Sequence, residues 1–331
     1  MDLEKAARYH LGVLRAENAS PSTQRTYSQV HRQFSAFLLG SLGKPATLAD
    51  LTPDNAREWQ AHLREHLDPV TVAHYVRILK IWSNRLVNDL PELFPSGDPL
   101  AKLRNPRVPE RVVTAFSPEQ VRRMVDLCAQ TREPLRNRAL ILFLVDTGVR
   151  AEELCAIRLD QIDAASREHQ GRALIMGKGR KERFVAFGME TSAAIAKYIV
   201  AERYDREQPW LFLSRIEGRQ FTVHGLGDLV RNLGERAGIE GMRCSPHVFR
   251  HTFAREFLRA HPGQILQLQQ LLGHSTLEQS QKYARLVQSD VVDDYHSVVD
   301  GWRRKSATRA IEPRRPFPLP KPTSASRRRA G

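Results

Sequence analysis

The chain has 331 residues, 41% hydrophobic and 27% charged, which is enough apolar content for the cores of two ordinary domains. Its longest apolar run, Ala139 to Val145, stops at Asp146, too short to cross a bilayer, and the opening MDLEKAARYH lacks the apolar core of a signal peptide; a cytoplasmic protein with no membrane partner is expected. Formal net charge is +14, and the last 31 residues alone hold ten Lys/Arg against one Glu, which favours a polyanionic partner without separating DNA from RNA.

Residues 1–104 read as almost wholly helical. Ser20-Pro21 starts a helix that carries Tyr27, Val30, Phe34, Phe37 and Leu38 on one stripe. Thr52-Pro53 starts another, with Ala56, Trp59 and Leu63, and Val70 to Leu90 forms a third with Val72, Tyr75, Val76, Leu79 and Trp82. This spacing is what core packing requires. Arg25, Arg32, Arg57, Arg77 and Lys80 fall on the polar faces, singly a solvated surface and together a set able to grip phosphates. Residues 105–115 are a linker, within a stretch where Pro91, Pro95, Pro99, Pro106 and Pro109 interrupt helices.

Ser117-Pro118-Glu119 opens a helix running to about Gln130, and Pro134 to Asp146 reads as a buried one. TGVRAEEL follows. Gly148 permits a tight turn, and Arg150 and Glu153 stand three residues apart, either a surface ion pair or an arginine held for an anion. Arg172 to Met176 and Arg183 to Phe187 read as strands joined by GKGRKE, a hairpin turn with Lys178 between two glycines. No Walker pattern is present, so the turn alone does not mark a nucleotide site. Lys181 and Arg183 are expected to touch a nucleic-acid backbone at most. A helix, a short strand-like WLFLS and a helix from about Thr222 come next.

The stretch from Ser245 to Tyr283 is the richest in chemistry. Pro246 suits a first helical turn, and His247, Arg250 and His251 share one face of that helix. A second helix, about Gln264 to Leu272, stops at Gly273; His274 sits at the break, and Ser275 and Glu278 form a capping box before Tyr283. Cations, histidines and a hydroxyl in this arrangement suit a phosphodiester. His247 and His251 mimic two ligands of a zinc helix, but Val248 stands where that motif needs glutamate. Cys128, Cys155 and Cys244 form no CxxC pair. No metal or other cofactor is therefore expected. Val287 to Val299 is amphipathic, and residues 301–331, rich in Pro and Arg, read as a disordered basic tail.

The segment resembles the active-site region of tyrosine recombinases, the phage-integrase and Xer-like family. The family's H-x-L-R-H stands as His247-Val-Phe-Arg250-His251, departing at Phe249; its L-G-H as Leu272-Gly-His274; its tyrosine as Tyr283; and its T-G-x-R-x-x-E-L as the words around Arg150 and Glu153. The resemblance implies a mainly α fold with a small antiparallel β-sheet (α+β) in a catalytic domain at 116–300, preceded by an all-α, SAM-like core-binding domain at 1–104. It implies six catalytic residues. Arg150 and Arg250 clamp the scissile phosphate, Lys178 protonates the leaving 5′-oxygen, and His247 exchanges a proton with the tyrosine. His274 hydrogen-bonds the phosphate, and Tyr283 attacks it to give a 3′-phosphotyrosyl link. Glu153 supports Arg150, and His251 is assigned a structural hydrogen bond. The implied partners are double-stranded DNA and three further copies of the chain, a homotetramer on paired sites. The alternatives are a type IB topoisomerase-like nicking and resealing enzyme, or a DNA-binding factor with a decayed site.

Overall fold

Ser20, Thr52, Asp68 and Ser117 each stand one residue before a proline. In the computed structural model each side chain accepts a backbone N–H of the first turn, from Thr23, Asn55, Val70 and Gln120 at 2.9–3.2 Å. Helices therefore begin where a cap satisfies an orphan donor and a proline costs none. The structure describes residues 1–108, 114–163, 171–177, 181–205, 207–215, 218–273 and Tyr283. Within them the chain divides into two compact units, Met1–Arg111 and Val112–Gly331. No described helix is long and apolar enough to cross a membrane.

The first unit is built from α1 (Leu3–Ala16), α2 (Pro21–Leu42), α3 (Pro53–Arg64) and α4 (Pro69–Asp89). The apolar stripes read from the sequence meet in one core, where Phe34, Trp59, Val76, Leu79 and Trp82 are buried. Leu100 and Leu103 join it. Of the five basic residues on the polar faces, Arg25, Arg32, Arg57 and Arg77 are exposed. Arg57 is paired with Asp54, and Lys80 donates to the carbonyl of Leu103 at 2.6 Å.

Two histidines lie inside this core, a feature that helical periodicity does not reveal. His10 (2% exposed) and His31 (1%) share a hydrogen bond between Nδ1 and Nε2 at 3.3 Å, and the His31 ring lies 4.3 Å from that of Trp82. Burial, then the Arg85 cation, pushes the His10 pKa down to about 4; burial, then His10, pushes His31 to about 3. Both are neutral in the folded state at pH 7, whereas the unfolded chain protonates them near an ordinary value of about 6.5. Their neutral burial thus costs nothing above that value, and stability falls as pH drops from there toward the folded-state values, by about 2 kcal/mol per histidine at ~pH 5. Urea unfolding of the whole chain, followed by the emission of Trp59 and Trp82, is expected to shift to lower urea between ~pH 7.5 and ~pH 5. An unchanged midpoint would show that these rings carry charge in the fold.

The second unit contains α5 (Pro118–Leu127), α6 (Pro134–Thr147), α7 (Ala151–Cys155), α8 (Met189–Ala201), α9 (Val223–Arg236), α10 (Pro246–Ala260) and α11 (Ile265–Leu272). A three-stranded antiparallel sheet adds β1 (Ile162–Asp163), β2 (Gly171–Met176) and β3 (Glu182–Phe187), in that order. Register pairs Gly171 with Phe187 and Met176 with Glu182. Ala173, Ile175, Val185 and Phe187 point into the main core with α6, whose Ala139 to Leu144 are all buried. The two longer strands and the helices match the periodicities; β1 is too short for any pattern to announce it. The WLFLS segment is not a strand. Leu211, Phe212 and Leu213 are buried, and only single backbone pairings form, Trp210 with Arg158 and Leu213 with Gln220. A short apolar run carries no period that separates a strand from a buried coil. All three cysteines are free and buried.

A second, smaller core joins α10 to α11, with Ala254, Leu258, Leu268 and Leu272 packed around the ring of Tyr283.

Candidate active site

Two glycine-ended helices set the geometry. Gly148 closes α6 at φ +58°, and a Cβ there would sit 2.7 Å from the Phe253 ring. Gly273 closes α11 at φ +64°, with Arg183 against it. Left-handed backbone of this kind suits glycine, and it leaves the final carbonyls of each helix without helical partners.

Arginines fill those carbonyls. Arg250, 1% exposed on α10, donates Nη1 to the Gly148 carbonyl and Nη2 to that of Leu272, both at 2.8 Å. Arg183, on β3, donates Nε to Leu271 at 2.9 Å. Arg150, the residue before α7, reaches the Gly273 carbonyl with Nη2 at 3.3 Å. Three successive carbonyls at the negative end of α11 are thus held by three guanidiniums from three separate parts of the chain.

Glu153 organises two of the three. Its Oε1 accepts from Arg150 Nη1 at 2.8 Å and from Arg183 Nη1 at 3.1 Å; its Oε2 accepts from the Arg150 backbone at 2.9 Å and from Arg183 Nη2 at 2.7 Å. Burial raises its pKa, but the hydrogen bonds from Arg183 and Arg150 outweigh that and hold the carboxyl below its ordinary range. Arg150 and Glu153 are therefore an ion pair, as one sequence alternative had it, but a largely buried one with a third member. Among the described residues Glu153 is the carboxylate bonded to this cluster, shared by two guanidiniums, while Arg250 bonds carbonyls. Burial, then repulsion from Arg150, lowers the Arg250 pKa to about 10, still charged at pH 7. Like charges gathered with one carboxylate between them form a site for an anion.

Tyr283 is 4% exposed, and its hydroxyl lies 2.9 Å from His251 Nδ1. The Arg250 guanidinium lies close enough to act on the phenol electrostatically. Burial raises the phenol's pKa, with Arg250 and Arg150 opposing, so it is protonated at neutral pH. His247, in the first turn of α10, is open to solvent, and its ring meets that of His251 edge-on at 4.3 Å. Desolvation of its inner edge, then Arg250 and Arg150, lowers its pKa and keeps it neutral, with Glu152 opposing.

Of the residues expected from sequence, Arg150, Glu153, His247, Arg250 and Tyr283 are brought together. Lys178 and His274 lie outside the described residues, as do the capping box at Ser275 and the segment 287–299. Beside Lys178, the Gly177 N–H closes the hairpin on the Lys181 carbonyl at 2.8 Å. Arg183 is the member that sequence reasoning misplaced. It is not a surface contact but is buried against Glu153, its side chain 13% exposed. The strand alternation held the signal, since 183, 185 and 187 share the inward face. Among the described residues the grouping able to approach a metal is His62, Glu65 and His66, all exposed in the first unit, with ligating atoms within 4.8 Å of one another.

Residues 114–289, just over half of the chain, match the model of the phage integrase family. The chain belongs to that family. It is a tyrosine recombinase of the Xer-like kind, and so a site-specific DNA recombinase. Relatives include XerC of Pelobacter propionicus, 27% identical over 89% of this chain and 94% of that protein. XerA of Thermococcus kodakarensis is 27% identical over 82% and 86%. Among solved structures, XerH bound to its palindromic difH substrate after cleavage aligns with TM-score 0.68 at 19% identity, over 88% of this chain and 83% of that one. A lambda integrase dimer on a core site aligns at 0.65 and 13%, over 84% and 96%. These likenesses carry the fold: a mainly helical recombinase with a small antiparallel sheet.

Proposed function

We propose that the recombinase exchanges strands between two DNA duplexes through a 3′-phosphotyrosyl intermediate formed by Tyr283. The reading rests above all on the buried phenol lying against Arg250, within a cluster of three guanidiniums and one carboxylate. A phosphodiester brings one negative charge, and a second develops as the tyrosine oxygen attacks. Arg150 and Arg250 bind the non-bridging oxygens and stabilise that growing charge; one such donor is typically worth about 10²–10³ in rate. Glu153 and Arg183 fix the angle of the Arg150 fork. His247, neutral and exposed beside both arginines, and His274 hydrogen-bond the phosphate. Lys178 gives its proton to the departing 5′-oxygen. The P–O bond to tyrosine conserves the energy of the broken one, so attack by a partner strand's 5′-hydroxyl reseals DNA without a nucleotide cofactor.

Residues 1–104 supply a second DNA-binding surface through Arg25, Arg32, Arg57 and Arg77; residues 105–115 tether it, and 301–331 add affinity that does not depend on sequence. Double-stranded DNA is the partner, and a homotetramer on paired sites is the working assembly. A nicked-site duplex, whose cleaved end diffuses away, is expected to trap a protein–DNA adduct stable on a denaturing gel. Two labelled duplexes are expected to exchange strands. No adduct overturns the reading; an adduct with no exchange would favour nicking and resealing alone.

A further inference from the structure

We infer that His251 is a catalytic residue: its Nδ1 takes the phenolic proton of Tyr283 as the tyrosine oxygen attacks phosphorus. The inference rests on the proposed phosphotyrosyl chemistry and assigns the one proton that chemistry leaves without an acceptor. From sequence, His247 is the candidate for it; the contact geometry favours His251, one helical turn further along α10.

The geometry on which this rests is the 2.9 Å contact between the phenolic oxygen and His251 Nδ1. A neutral His251 in its Nε2–H tautomer presents Nδ1 as an acceptor for the phenolic proton, and that tautomer is the one the proposal assigns. The phenol is a poor nucleophile as it stands, because burial raises its pKa. An acceptor already in line with its proton removes that obstacle.

In the forward step the Tyr283 O–H bond breaks and an N–H bond forms on His251. The tyrosine O–P bond forms, the P–O5′ bond breaks, and the 5′-oxygen takes its proton from Lys178. In resealing the 5′-hydroxyl attacks phosphorus and gives its proton back to the neutral Lys178 amine, the tyrosine O–P bond breaks, and the imidazolium of His251 returns its proton to the tyrosine oxygen. Electrostatics gate the step. An imidazolium at 251 would stand next to Arg250, with Arg150 beyond, cations that oppose its formation. A phosphate seated between the arginines cancels that repulsion. The proton therefore moves only once DNA is in place, and the nucleophile stays protonated and inert in the free protein.

The test is single-turnover cleavage of nicked-site DNA carrying sulfur at the 5′-bridging position, a leaving group that needs no acid. His251→Gln keeps an acceptor for the phenolic proton but cannot carry that proton away. It is expected to bind DNA normally and to cleave about 10²–10⁴-fold more slowly. The loss is expected to shrink at least ~10-fold when a ring-fluorinated, more acidic tyrosine occupies position 283, as a proton-transfer role requires and a purely structural role does not. Should the glutamine variant unfold, His251→Asn is read instead. Cleavage within about threefold of wild type, or an equal loss with both tyrosines, overturns the assignment. Adduct formation by Tyr283→Phe would instead overturn the phosphotyrosyl reading itself, so the two failures are distinguishable.

Discussion

Tyr283→Phe is expected to bind DNA as tightly as the wild type and to form no covalent adduct with it. The substitution removes one oxygen and leaves the ring among Ala254, Leu258, Leu268 and Leu272. The lost hydrogen bond to His251 costs about 1–3 kcal/mol at most. DNA affinity comes from phosphate contacts made by other residues and should keep the wild-type salt dependence. Cleavage, by contrast, has no substitute nucleophile. Denaturing gels of a trapped nicked substrate read the adduct, and binding titrations at two salt concentrations read the affinity. A persistent adduct would place the nucleophile elsewhere.

Arg250 carries the second large effect, because it is at once a structural and a chemical element. Arg250→Ala leaves the Gly148 and Leu272 carbonyls buried without their donors, at about 1–3 kcal/mol each, and a lower melting temperature is expected. On the proposed chemistry it also removes a phosphate clamp, and a loss of about 10²–10³ in rate is expected. Arg250→Lys separates the two roles. A lysine keeps the charge but cannot bridge carbonyls on two different helices with one planar fork. It should lower the melting temperature less than alanine does, since it can still serve one carbonyl, and cleave at least ~100-fold more slowly in single turnover. A lysine variant of wild-type rate would show that charge alone suffices there.

Several of the features behind these expectations were legible in the sequence because they are local. Caps at Ser20, Thr52 and Ser117, prolines at first helical positions, the stripe on α4 and the alternation on β3 all depend on neighbours within a turn or two. The same holds for the shared face of His247, Arg250 and His251. Features that bring distant segments together were not. Arg183 read as a surface residue because its partners, Glu153 and the Leu271 carbonyl, lie 30 and 88 residues away. The buried pair His10 and His31 is separated by 21 residues and meets only when α1 packs on α2. WLFLS read as a strand because an apolar run reports burial but not hydrogen-bond partners.

By itself, then, the order of residues determined which side chains this recombinase possesses for its chemistry and which short elements present them, since helix caps, glycine stops and periodic stripes are set by nearest neighbours. Tertiary structure alone decided what those side chains touch. It set three guanidiniums on consecutive carbonyls at one helix end, gave two of them a single carboxylate, and aimed the hydroxyl of Tyr283 at His251 rather than at solvent. The reason is physical: hydrogen bonds and charge pairs act over a few ångströms, and only packing of the apolar faces brings segments more than a hundred residues apart within that range.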